Sequence, residues 1–115
     1  MTTKAIETIA AELLAARVSG GTVSTTSDIL PRTGYLVGIA GLGAVLPSAD
    51  VDVISTWVAS HLESNHVGIW SDSTTGTTYL DVVEVIADRS DAEALARSTG
   101  EIAIWDLVNQ VEVRV

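Results

Sequence analysis

Apolar residues near the start of the chain recur at helical steps. Ile6, Ile9, Ala10, Leu13 and Leu14, with Arg17, fall three and four apart, so residues 3–18 read as an amphipathic helix. Gly20 and Gly21 stop it. Residues 22–33 are rich in Ser and Thr, carry Pro31 and read as a polar linker. The pattern then changes to period two. Residues 34–40 predict a strand with Tyr35, Val37 and Ile39 on one face, and Gly41, Gly43 and Pro47 break the stretch after it. Ser48 is placed to cap a second helix with Val51, Ile54, Val58 and Leu62 as its inner stripe.

Residues 67–72 and 78–86 predict a hairpin. The second strand is apolar on both faces apart from Asp81 and Glu84, the mark of a central strand. A three-residue turn at Thr74, Thr75 and Gly76 needs a positive φ only at the glycine. That register puts Asp72 and Asp81 on opposite faces, which excludes them as a metal pair. Ser90 and Glu93 have capping-box spacing at the start of a short helix that Gly100 closes. Residues 102–107 form a strand, and 111–115 alternate strictly and suit a sheet edge. The expected fold is α+β: one small domain, a mixed or antiparallel sheet of about five strands and two to three helices. Residues 1–33 form a helix and linker and residues 34–115 the core; the helix is expected to be dispensable for the core fold, yet its apolar stripe must bury against that core or against a second copy.

Composition narrows the function more than the fold. The chain has 115 residues, 15 acidic and 6 basic, a net charge of −9, and 47% apolar residues. Such hydrophobicity excludes a disordered acidic tail. The absence of cysteine excludes a disulfide scaffold, a thiolate zinc site and a cysteine nucleophile. The thinly spread Lys and Arg argue against nucleic acid and against an anionic membrane. No apolar run is long enough to span a membrane, and the first ten residues lack the apolar core of a signal peptide. A cytoplasmic location is expected. With no Phe, the rings of Trp57, Trp70, Trp105, Tyr35 and Tyr79 are expected to anchor the core.

Each candidate for chemistry has a plainer structural reading. Gly38, Gly41 and Gly43 reverse the dinucleotide-binding spacing, which favours a relaxed turn over a phosphate loop. His61 and His66 are five apart rather than the four of a helical metal pair, and His61 suits a helix C-terminus. Asp72, Asp81, Asp88 and Asp106 fall near strand ends, where a carboxylate serves turns and caps more often than acid–base work. These readings leave no catalytic residue, no metal ligand and no cofactor site. The acidic run Asp81, Glu84, Asp88, Asp91 and Glu93 is either a solvated edge and helix start, or a docking patch for a basic partner or a phosphate mimic against a DNA-binding protein.

Several segments of the second half form a recognisable series. Gly68, Trp70 and Asp72 are followed by Thr75-Gly76 and by Tyr79-Leu80-Asp81-Val82. After these come Asp88, the run Glu93-Ala94-Leu95 with Ala96, and Ala103-Ile104-Trp105-Asp106-Leu107. With the strand from Gly34, this resembles small uncharacterised proteins of actinobacteria, their bacteriophages and related mobile elements. The likeness covers residues 34–115, with Glu101 and Val83 as departures. It implies a phage or mobile-element origin and carries no activity. The expected function is non-enzymatic binding of a host or phage protein, in the host cytoplasm if phage-encoded. The alternatives are a small hydrolase or nuclease-like enzyme using Asp72, Asp81, His61 or His66, and a structural homo-dimer.

Overall fold

The computed structural model describes residues 3–26 and 31–115. Its elements run α1 (Ile6–Ala16), β1 (Gly21–Ser24), β2 (Tyr35–Leu46), α2 (Val51–Ala59), β3 (His66–Ser71), β4 (Thr78–Ile86), α3 (Arg89–Ser98), β5 (Ala103–Asp106) and β6 (Val111–Arg114). The strands form one antiparallel sheet of six, in the order β1-β3-β4-β2-β5-β6. The α+β layout is as expected, with one strand more. β4 lies inside the sheet and β6 at its edge, as their patterns require.

Cross-strand partners point to the same side of a sheet, so register assigns every strand residue a face. Val23, Val67, Ile69 and Leu80 share one side and pack under α1 and α2, against Ile9, Leu13, Ile54 and Val58. Val37 and Ile104 lie on the same side and pack under α3, against Ala92 and Ala96. All three helices therefore cover one face. Among the described residues no helix packs on the other face.

Four features depart from the sequence reading. First, the N-terminal segment holds more than a helix and a linker, although α1 does pack on the core as its apolar stripe requires, with Ile9, Ala10 and Leu13 completely buried. The arm expected over residues 1–33 also contains β1, which pairs with β3 from Gly21↔Ile69 to Ser24↔His66. A four-residue strand with a single apolar residue, Val23, has no period to detect. Its pairing comes from the core, and Thr25, also fully buried, donates to the Ser64 carbonyl at 2.7 Å. Residues 27–30 of the expected linker lie outside the described residues.

Second, β2 does not stop at its glycines. Between Ile39↔Val82 and Ala44↔Leu80 four residues of β2 face the single residue Asp81, a wide bulge that lets the strand continue to Leu46. Gly41 takes a φ of 88° there.

Third, aspartates rather than serines cap the later helices. Asp50 accepts from Asp52 and Val53 N–H, displacing Ser48. Asp88 accepts from Asp91 N–H at 3.0 Å, displacing the Ser90–Glu93 box, while Glu93 sits 3.5 Å from both Arg89 and Arg97. Both aspartates have the extended backbone that a cap requires.

Fourth, the β3–β4 loop is one residue longer than expected. Asp72 N–H donates to the Thr77 carbonyl, Gly76 N–H donates to the Asp72 carbonyl, and Asp72 Oδ1 accepts from Thr74 N–H, each at 2.8 Å. The aspartate side chain thus organises a four-residue loop, and register parity changes with it. Asp72 and Asp81 share a face, the one without helices, but stand four residues apart along the ladder, about 14 Å.

Candidate functional site

The uncovered face can be read row by row from the register. Trp70, Tyr79 and Val45 form one row across β3, β4 and β2. Thr22, Gly68 and Asp81 form the next, and His66, Val83 and Gly38 the third. Val85, Leu36, Trp105, Glu112, Ser24, Ala103 and Arg114 lie on the same face. A one-sided antiparallel sheet ordinarily presents polar residues to water. This one presents two indoles, three valines and a leucine among its polar residues.

Two glycines shape the surface. Gly68 and Gly38 lie in neighbouring rows beside Val83 and put no side chain of their own on the floor of this surface. The resulting concavity is about 860 Å³, with Leu36, Val83 and both glycines in its lining. Trp70 and Trp105 also line it and remain 48% and 38% exposed, so two of the expected core rings are surface walls instead. Trp70 stacks on Tyr79 with centroids 5.4 Å apart, which fixes its indole. Trp57 is the indole that packs against the core, stacked on His61 at 4.5 Å.

Asp81 and Glu101 bring negative charge to this surface. Asp81 lies at the bulge, where Gly43 is required: a Cβ there would collide with the Leu80 carbonyl oxygen and approach Asp81 Oδ1 to 3.1 Å. Glu101 reaches the same face by the turn that ends α3. Glu101 N–H donates to the Ala96 carbonyl and Gly100 N–H to that of Arg97, with Gly100 at φ 79°. This closing turn, anchored by the Thr99 hydroxyl on the Gly38 carbonyl, sets the Glu101 carboxyl over Gly38, 3.1 Å from where its Cβ would be. Desolvation raises the pKa of Asp81. Desolvation and then the charge of Asp81 raise that of Glu101. Among the described residues neither carboxylate is in an ion pair. Their charges are left partly desolvated, a state that a bound cation would relieve, and Arg32 lines the same hollow as Asp81.

The acidic run singled out in the sequence does not make one patch. Asp81 is on the open face, and Glu84 alternates to the helix side. Asp88 is occupied as a cap, Asp91 is exposed in the first turn of α3, and Glu93 pairs with two arginines. The other carboxylates and histidines are likewise apart. Asp72 organises its loop. Asp106 accepts from Val108 and Asn109 N–H and from Asn109 Nδ2. Those bonds, the Asn109 side chain foremost, lower its pKa. His61 Nδ1 lies 2.8 Å from the Trp57 carbonyl, whereas His66 is on the open face with its pKa lowered by desolvation. Sequence reasoning missed Glu101, Trp70 and Trp105 as site residues. The available signal was Trp70 alternating outward beside Gly68, on a strand whose other face is apolar. Comparison of the chain with protein-family models, with curated proteins and with solved structures finds no match in any of the three.

Proposed function

We propose that this chain is a non-enzymatic binding module whose open sheet face receives a cationic, partly apolar segment of another protein. The observation that supports this most is the glycine-floored hollow between two exposed indoles. Exposed aromatic and apolar side chains gathered round a concavity mark an interaction site, and tryptophan is the residue most enriched where binding energy concentrates. Charge sets the kind of partner. Asp81 and Glu101 beside the hollow, within a net charge of −9, favour Lys or Arg next to the apolar anchor. Of the acidic run, Asp81 keeps a docking role in this reading. With the resemblance of residues 34–115, the module reads as a phage or mobile-element accessory protein acting on a host or phage protein.

The test is selection of peptides from a random display library on the full chain, followed by anisotropy titration of the enriched sequences. The expected winners combine a basic residue with an aromatic or aliphatic anchor. Trp70→Ala and Trp105→Ala should each weaken binding by about thirtyfold, the ~2 kcal/mol of a central interface residue. Asp81→Asn with Glu101→Gln should weaken it further and flatten its salt dependence. Winners without basic residues, or binding indifferent to both indoles, would overturn the proposal.

A further inference from the structure

Strand β6 ends the sheet, and its outer edge has no neighbouring strand among the described residues. Its phase is fixed. Val115 N–H donates to the Ile102 carbonyl at 3.0 Å, and antiparallel bonding recurs at every second residue. Val111, Val113 and Val115 therefore direct their backbone groups at β5. Glu112 and Arg114 direct theirs outward.

Charged side chains on an edge strand ordinarily discourage pairing. Here the two charges are opposite in sign and flank one valine. We propose that β6 pairs antiparallel with β6 of a second copy of this chain, centred on Val113, joining two sheets into one. A two-fold contact between identical strands must be antiparallel and must match outward-directed residues. Three registers meet that condition. One places Glu112 opposite its own copy, and another does the same for Arg114. The third places Glu112 opposite Arg114 of the second copy, twice. Like charges directly opposed are unfavourable, which removes the first two. The first also needs Gln110, whose N–H already donates to the Asp106 carbonyl and whose φ of 56° ends the strand.

The remaining register is satisfied throughout. Glu112 and Arg114, 3.2 Å apart within one chain, exchange partners across the two-fold. On the helix side Val113 meets Val113, and Val111, 48% exposed, meets Val115. Val113 and Val115 already pack on the α3 core, so that core becomes continuous across the join. This contact leaves the indole-walled hollow open.

Sedimentation equilibrium of the full chain tests the pairing. The wild type should dimerise. Glu112→Arg makes the edge doubly positive and Arg114→Glu makes it doubly negative. Each should raise the dissociation constant by roughly tenfold or more. An equimolar mixture of the two should form a heterodimer, and the double charge swap should restore the homodimer. Circular dichroism should show all variants folded, since both side chains are exposed. A wild type monomeric up to about 1 mM, or a dimer that both single variants retain, overturns the proposal.

Discussion

Replacing Leu13 by alanine asks whether α1 belongs to the core or hangs from it. The helix has eleven residues and no side-chain cap at Ala5, so alone it would be marginal in water. Its stability must come from packing. Leu13 is completely buried in a cluster with Ile9, Val23, Ile54 and Val58. Truncation removes three carbon groups from that cluster, about 2.4 kcal/mol of transfer free energy at ~0.8 kcal/mol each. The cavity left behind brings the loss to about 3–4 kcal/mol. A chain of this length has a stability on the order of 6–17 kcal/mol, so this is a large share. With an unfolding entropy near ~0.24 kcal/mol/K, the melting temperature should fall by about 12–17 °C. Urea titration followed by circular dichroism measures it, with Val18→Ala as the control. Val18 is 74% exposed and should change stability by less than ~0.5 kcal/mol. A Leu13→Ala loss below ~1 kcal/mol would refute the packing argument and restore the dispensable arm.

The other predictions concern caps and titration. Asp88→Ala should cost about 1 kcal/mol and Ser90→Ala less than ~0.5 kcal/mol in the same urea titration, and the reverse order would restore the Ser90 box. Asp106→Ala should lower the melting temperature at pH 7. Its folded pKa lies below the ordinary value, so its contribution is complete above about pH 4 and disappears as pH falls through the folded pKa. A difference that does not shrink as the pH is lowered below the ordinary carboxylate range would contradict this cause. Asp81→Asn should act in the opposite sense. Its folded pKa is raised, so the ionised group opposes folding at neutral pH. The variant should melt higher than wild type at pH 7, with the gain vanishing as pH falls below the folded pKa. A lower melting temperature at pH 7 would show that the carboxylate has a favourable partner.

Long elements are readable in the sequence and short or irregular ones obscure, for physical reasons. β4 has apolar residues on both faces, and its place inside the sheet follows from that alone. β1 is four residues of Gly, Thr, Val and Ser whose strand character comes from β3. The glycines of β2 look like breaks because local rules cannot foresee a bulge opposite Asp81. Both later helices start two residues away from the serines that their sequences favour. Ser, Thr and Asp compete for the same capping role, and the winner depends on backbone angles. The site was harder still. The alternation of β3 and β5 shows which way Trp70 and Trp105 point, but not that no helix covers them. Glu101 and Gly38 lie far apart along the chain, and only the α3 closing turn brings them together.

The central claim is that the open sheet face is the binding surface. Its most direct test is a nitrogen-15 NMR titration of the full chain with a peptide enriched in the library selection. The account predicts saturable shifts at the Trp70 and Trp105 indole N–H groups and at the backbone of Gly38, Gly68 and Val83, with α3 unmoved. Shifts concentrated at Asp91 and along the exposed side of α3, with both indoles silent, would contradict it.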